Sequence, residues 1–376
     1  MPASRRLSLR VPWEKGETRV MTTRAASSDL RMVDTVKKER AAGGSRFDWI
    51  VVAISTWLMG GGYSDGWAHN HLPIDNFFTP WHGAFYSGFL IICAFMVGTF
   101  IRNRMKGYPA HLAMPAGYEL SLLGVIVIFF GGIGDMFWHM LFGIELNING
   151  ALSPTHIAVS IGLGLVVSGP FRAAWQRSKS GQGQTLVELL PMLLSLTYLL
   201  GTITIIGQVF HPFVNTWPAG NQQDPFSYQA LAIVSIVLQT IILMGLVLLT
   251  VRRWQLPFGA FTLVFTLNMI MLSVMQDTYL LIAVAALGGL VADVLVWRLK
   301  PSIKEPNALR IFAFVVPVAL YLFYFLALEL TSGVKWSIHL WLGSTFAAGL
   351  AGLFLSYLLI PPTIPAMQQE ADTKVE

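Results

Sequence analysis

The sequence is poor in charged residues and contains one cysteine. Charged side chains make up 12% of its 376 residues, about half the share that is usual in soluble domains. Because Cys93 stands alone, the chain has no internal disulfide and no cysteine motif for zinc or for copper transport. It also lacks a glycine-rich phosphate loop and the nucleophile elbow of a serine hydrolase. These absences argue against a soluble domain, a nucleotide-binding enzyme and a serine hydrolase.

Apolar residues are abundant instead. They form 54% of the chain, and the mean hydropathy is +0.60. Such a composition is typical of a polytopic membrane protein in contact with the lipid bilayer. We therefore predict an all-α fold of about ten transmembrane helices. The spans are expected near residues 47–66, 79–101, 117–141, 152–175, 187–210, 227–251, 257–275, 278–297, 309–331 and 336–359.

The basic residues predict an orientation. When each is assigned to its nearest linker or tail, 24 of the 25 Lys and Arg fall in the two tails or in alternate linkers. The positive-inside rule places this side, with both termini, in the cytoplasm. Seven of the eight histidines then lie toward the outer face, with His111 as the exception. We expect an integral protein of a prokaryotic plasma membrane whose functional end is outside.

Composition also suggests four parts. Residues 1–46 form a basic tail that we expect to be disordered, with Met21 and Met32 as alternative starts to Met1. Residues 47–176 would form a four-helix unit, residues 187–360 a six-helix scaffold, and residues 361–376 a disordered tail. The tail before the first span lacks interleaved aromatic residues, so attraction to anionic lipid explains its charge better than nucleic acid does.

An aspartate-histidine pattern occurs twice, each time near the end of a predicted span. Each copy has a Gly-Gly pair, an Asp, a His four residues later, an acid ten residues after the Asp, and a second His behind a Ser/Thr-Pro pair. The copies are Gly61-Gly62, Asp65, His69, Asp75, Thr79-Pro80 and His82, then Gly131-Gly132, Asp135, His139, Glu145, Ser153-Pro154 and His156. Residues four apart share one helix face, and Ser/Thr-Pro is typical of a helix start. We interpret the pattern as a duplicated helix-loop-helix unit.

The residue types in this repeat predict two metal sites. One would use Asp65, His69 and His82, and the other would use Asp135, His139 and His156. Asp75 and Glu145 are expected to accept hydrogen bonds from the imidazole groups, and His71 and His211 are candidates for additional ligands. Imidazole and carboxylate suit copper, zinc or iron without selecting among them, and catalytic residues stay unassigned.

Each of these residues also has an ordinary interpretation. A single Asp near a helix end is more typical of a cap, and a single interfacial His of a polar anchor. It is the recurrence of the whole set in register that favours metal binding. Two units inserted in the same direction would place the sites side by side at similar depth. The four extra residues before His156 are the weak point, because they could move that histidine away.

Over roughly residues 55–165, the chain resembles the C subunit of the copper membrane monooxygenases, which act on methane or ammonia. The first copy is similar to that subunit's Asp-x3-His and Asp-x-x-Phe-Thr-Pro-x-His stretches, whose Asp and two His bind a metal. The family's second site, Asn-x3-His with a later Pro-x-His, is similar to Asp135, His139 and His156, although Asp replaces Asn here. The resemblance implies one or two copper ions, dioxygen chemistry and partner subunits.

Several functions remain open at this point. The first is an oxidoreductase, a monooxygenase-like subunit that activates dioxygen at the outer membrane face. It would work with other monooxygenase-like subunits or a copper donor. The alternatives are a non-catalytic copper carrier or assembly factor and a zinc-dependent membrane hydrolase. A haem protein with two axial histidines is disfavoured by the carboxylate four residues from His69 and from His139.

Overall fold

The structure, a computed structural model, describes residues 40–72, 77–143, 147–177, 185–220 and 225–361. Within these ranges the chain forms thirteen α-helices, three short 3-10 helices and no β-strand. The α-helices are α1 (Ser45–His71), α2 (Pro80–Met105), α3 (Glu119–Phe142), α4 (Asn147–Ala151), α5 (Pro154–Val167), α6 (Gly169–Arg177), α7 (Leu186–Ile206), α8 (Pro212–Asn215), α9 (Pro225–Arg253), α10 (Ala260–Gln276), α11 (Leu280–Leu299), α12 (Pro306–Thr331) and α13 (Ile338–Leu359).

Eight of the described helical segments are long and apolar enough to cross a membrane. They correspond to all the predicted spans except the first and the seventh. The first predicted span lies in α1, which is 27 residues long but carries Asp48, Asp65, His69 and His71. The seventh lies in α10, an apolar helix of 17 residues. The all-α membrane class is therefore confirmed, whereas the count of ten and the orientation stay predictions.

The first helices pack as two pairs. Helix α1 lies against α2 and α3 lies against α5, and α2 also contacts α3. Contacts of α1 with α7 and α10 join these pairs to the remaining helices, in which α10 to α13 pack in sequence and α9 lies against α13. The core contains side chains from both parts, including Leu58, Ile92, Leu193, Phe261 and Tyr324. This packing brings the end of α1 and the ends of α2, α3 and α5 into one region.

A glycine allows α1 and α2 to approach closely. A Cβ atom on Gly61 would lie 2.7 Å from backbone atoms of Phe85, which is closer than real Cβ contacts. Gly61 is one helical turn before Asp65 in α1, and Phe85 is less than one turn after His82 in α2. The absence of a side chain at Gly61 therefore fixes how near these two polar residues lie to each other.

A buried ionic cluster secures the other end of α1. The Tyr118 hydroxyl donates a 2.6 Å hydrogen bond to Asp48, and the Arg177 guanidinium pairs with the same carboxylate. These contacts connect α1 with α6 and with the start of α3. Asp48 precedes Asp65 by 17 residues, so the cluster lies roughly 25 Å along α1 from the aspartate-histidine pattern. The buried charge is paired here, as stability requires.

Candidate metal centre

Three residues of the first copy converge between α1 and α2. The Nε2 atom of His82 lies 3.5 Å from Oδ2 of Asp65, and Nε2 of His69 lies 4.0 Å from the same oxygen. Helix α2 begins at Pro80, and the Thr79 hydroxyl accepts a 3.2 Å hydrogen bond from the His82 backbone N–H. The predicted N-cap is thus confirmed, and it turns His82 back toward Asp65. We call Asp65, His69 and His82 the first group.

The second copy converges in the same way between α3 and α5. The Nε2 atoms of His139 and His156 lie 3.6 Å and 3.3 Å from Oδ1 of Asp135. The Ser153 hydroxyl accepts a 3.3 Å hydrogen bond from the His156 backbone N–H, which confirms the second predicted N-cap. We call Asp135, His139 and His156 the second group. In each group, the ligand atoms all lie within 4.8 Å of one another, so each could hold a metal ion.

The longer loop of the second copy does not carry His156 away. Part of it forms the short helix α4, which ends at Ala151 just before the Ser153 cap. The imidazole of His156 donates from Nδ1 to the Gly150 carbonyl at 2.5 Å. The loop therefore supplies a hydrogen bond that holds His156 in place.

Three of the four histidines have their Nδ1 atoms engaged. His139 donates from Nδ1 to the Gly143 carbonyl at 3.1 Å, as His156 does to Gly150, and Nδ1 of His82 lies 2.9 Å from the Thr79 hydroxyl. A proton on Nδ1 leaves the lone pair on Nε2, the atom that faces the carboxylate. Metal-binding histidines commonly have this arrangement. Asp75 and Glu145, which were predicted for this role, lie outside the described residues.

The two groups are neighbours. The ring centroids of His82 and His139 are 6.4 Å apart, although each belongs to a different group. The Phe77 ring stacks on His82 at 4.9 Å and lies 6.2 Å from His139, so it contacts both groups. Asp65 and Asp135 are close enough to interact electrostatically. We call the six residues of the two groups the paired centre.

The paired centre contains polar atoms that lack partners. Asp65 Oδ1 and His139 Nε2 are buried and form no hydrogen bond within the described chain. In the same described ranges, neither Asp65 nor Asp135 forms an ion pair with Lys or Arg. Unpaired carboxylates and imidazole lone pairs are costly to bury together. Metal cations would satisfy them, so the donor set fits metal binding.

Thr155 supports the second group and was not predicted from the sequence. Its hydroxyl donates a 2.8 Å hydrogen bond to Oδ1 of Asp135. In the first copy the same position is Trp81, so the alignment of the copies gave no signal for it. The sequence did contain a clue. Thr155 carries a hydroxyl and stands one residue before the predicted ligand His156, in the first turn of α5.

We expect Thr155→Val to weaken metal binding at the second group by about 10- to 100-fold, the usual cost of losing a partner of a ligand. Titration of the metal-free protein would measure it. Thr155→Ser keeps the hydroxyl and is the matched control. Equal affinity in the valine and serine variants would show that the hydrogen bond does not orient Asp135.

The two candidates for additional ligands lie elsewhere. His71 forms a 2.6 Å contact with Asp277, and this hydrogen bond raises the pKa of His71. His211 caps α8, where its Nδ1 accepts a 3.2 Å hydrogen bond from the Phe213 N–H. Burial lowers the pKa of His211 to about 4. The structure places neither His71 nor His211 in the paired centre.

Asp293 follows another Gly-Gly pair, but its role is structural. Its carboxylate accepts 2.9 Å hydrogen bonds from the backbone N–H groups of Phe261 and Thr262. These residues lie in the first turn of α10, where backbone donors have no helical partner. Asp293 therefore stabilises the start of α10 and is not a third copy of the metal pattern.

No protein-family model matches the chain, and neither a curated protein nor a solved structure does. The described residues form a helical protein of membrane type with two adjacent Asp-His-His groups that could each hold a metal ion.

Proposed function

We propose that the protein is a membrane oxidoreductase whose paired centre binds two copper ions and activates dioxygen. One observation carries the proposal. Two carboxylate-imidazole groups lie side by side, with His82 and His139 6.4 Å apart and Nε2 atoms turned toward Asp65 and Asp135. Sites of three protein ligands leave positions for an exogenous ligand, as catalytic metal sites do.

The preference for copper rests on the ligand types and on the resemblance described above. Four imidazoles and two carboxylates provide no thiolate, which makes a closed structural zinc site less suitable. Copper bound there would supply one-electron redox chemistry toward dioxygen. The resemblance to the C subunit of copper membrane monooxygenases supports the same choice.

The residues around the metals would control access. The ring of Phe77 lies against both His82 and His139, and Tyr86 lies 5.7 Å from Phe77. These aromatic rings would cover one side of the centre and favour a small or lipid-soluble substrate. The centre would lie toward the outer membrane face, with other monooxygenase-like subunits or a copper donor as partners.

Metal analysis combined with spectroscopy tests the function. We expect the purified protein to bind copper, to give a Cu(II) electron paramagnetic resonance signal with nitrogen couplings, and to consume dioxygen when reduced. Zinc at both groups with hydrolytic activity would replace the proposal with a hydrolase. Copper that passes to an acceptor protein without dioxygen consumption would replace it with a carrier.

A further inference from the structure

A second polar region lies inside the protein, apart from the paired centre. It is a cavity of about 50 Å³ bounded by α7, α9, α10, α11 and α12 and by the segment at α8. Most of its lining is apolar, but five polar side chains also face it: Thr204, His211, Gln239, Asn268 and Tyr321. None of the five belongs to either group of the paired centre.

Gln239 is buried in this cavity without a partner. The residue is 8% exposed, and within the described residues its amide forms no hydrogen bond. An amide can donate two and accept two hydrogen bonds. Burying an amide that forms none of these hydrogen bonds is costly, so buried amides nearly always bond to protein or to ordered water. The amide nitrogen lies near Gly207, 3.5 Å from where a Cβ atom on that residue would be.

His211 offers a donor to the same cavity. Its Nδ1 accepts from the Phe213 N–H, so the proton of the neutral ring is on Nε2. Burial keeps the ring neutral, since the pKa of His211 is lowered to about 4. Tyr321 is the other titratable group that lines the cavity, and no carboxylate or ammonium group does. Thr204 and Asn268 make only long contacts with each other, at 3.4 Å and 3.5 Å.

We propose that this cavity is a hydration site that holds one or two water molecules bonded to Gln239 and His211. A water molecule occupies about 30 Å³ in the liquid and needs two or more polar partners, and this cavity provides both the space and the groups. The same volume is too small for an organic substrate, and the uncharged lining does not suit an ion.

Polar contacts connect the segment beside this site with the end of α1. Gln208 follows Gly207 and accepts a hydrogen bond from the Gln276 amide. Next to Gln276, the carbonyl of Met275 accepts a 3.1 Å hydrogen bond from Asn70. Asn70 adjoins His69 of the first group.

Hydroxyl-radical footprinting by X-ray pulses tests the proposal on the intact protein in detergent. Water activated in place oxidises the side chains beside it even when they are buried. Met269 lines the cavity and is 2% exposed. Met96 is 0% exposed, lies in α2, and does not line it. We expect Met269 to be oxidised severalfold faster than Met96.

Gln239→Leu removes the polar amide while keeping a similar size, and it should lower the Met269 rate toward that of Met96. If this variant does not fold, Gln239→Met makes the same comparison with an unbranched side chain. The proposal is overturned if Met269 and Met96 react equally slowly in the unmodified protein. It is also overturned if a folded variant leaves the Met269 rate unchanged.

Discussion

The variant His139→Ala is expected to lose at least one of the two metal ions that we propose the paired centre binds. The His139 side chain is 1% exposed, and its Nε2 lies 3.6 Å from Asp135. Without it, the second group retains only Asp135 and His156, and an alanine leaves a space with no donor. Two protein ligands hold a divalent ion far more weakly than three. Inductively coupled plasma mass spectrometry of the purified variant would give the stoichiometry.

His111→Ala is the control, because His111 is an exposed residue of a separate 3-10 helix. It should keep the full metal content. His69→Ala should act on the first group as His139→Ala acts on the second. Loss of both ions in either variant would mean that the neighbouring groups bind as one unit. Full metal content in both His69→Ala and His139→Ala would refute metal binding by the paired centre.

The variant Gly61→Leu is expected to destabilise the protein and to empty the first group. A side chain at Gly61 meets the Phe85 backbone at 2.7 Å, so α1 and α2 must separate. Overpacking of this kind costs about 1–3 kcal/mol and sometimes more. The separation would also draw His82 away from Asp65. Thermal unfolding in detergent, followed by metal analysis, would measure both effects.

Gly60→Leu is the matched control, because nothing lies within 4 Å of a Cβ atom at Gly60. It adds the same side chain to the same helix one residue earlier. We expect its unfolding temperature and metal content to remain close to those of the unmodified protein. Equal behaviour of the two leucine variants would show that the close contact of α1 with α2 does not position the first group.

Local rules were sufficient to predict the parts of the site that depend on one helix. Asp and His four residues apart lie on the same face of α1 and of α3, as helix geometry requires. Thr79 and Ser153 cap the following helices, as Ser/Thr-Pro pairs do. Because a capped first helical turn has a fixed direction, the sequence also predicted that His82 and His156 are turned back toward the preceding loop.

Features that depend on contacts between distant elements could not be derived in this way. The hydrogen bond of Thr155 to Asp135 and the position of Phe77 between the two groups arise from how α2, α3 and α5 pack. His71 and Asp277 are 206 residues apart in the chain, so no local pattern could pair them. The side-by-side placement was expected from a parallel repeat, but duplication itself remains an interpretation.

The polar positions in the other helices show the same limit. Asp293 and a Gly-Gly pair look similar to the metal pattern in sequence, yet Asp293 accepts hydrogen bonds from the start of α10. His211 lies in a loop between helices, where a metal ligand and a helix cap look alike until the neighbours are known. An Asp or His at a suitable spacing therefore predicts a metal ligand only when the other ligands belong to the same helix-loop-helix unit.

Anomalous diffraction from crystals of the copper-loaded protein tests the central claim most directly. We expect two peaks at the copper absorption edge, one beside the Nε2 atoms of His69 and His82 and one beside those of His139 and His156. Both peaks should be absent when data are collected below that edge. Copper found only at other histidines, or no peak at either Asp-His-His group, would contradict the account.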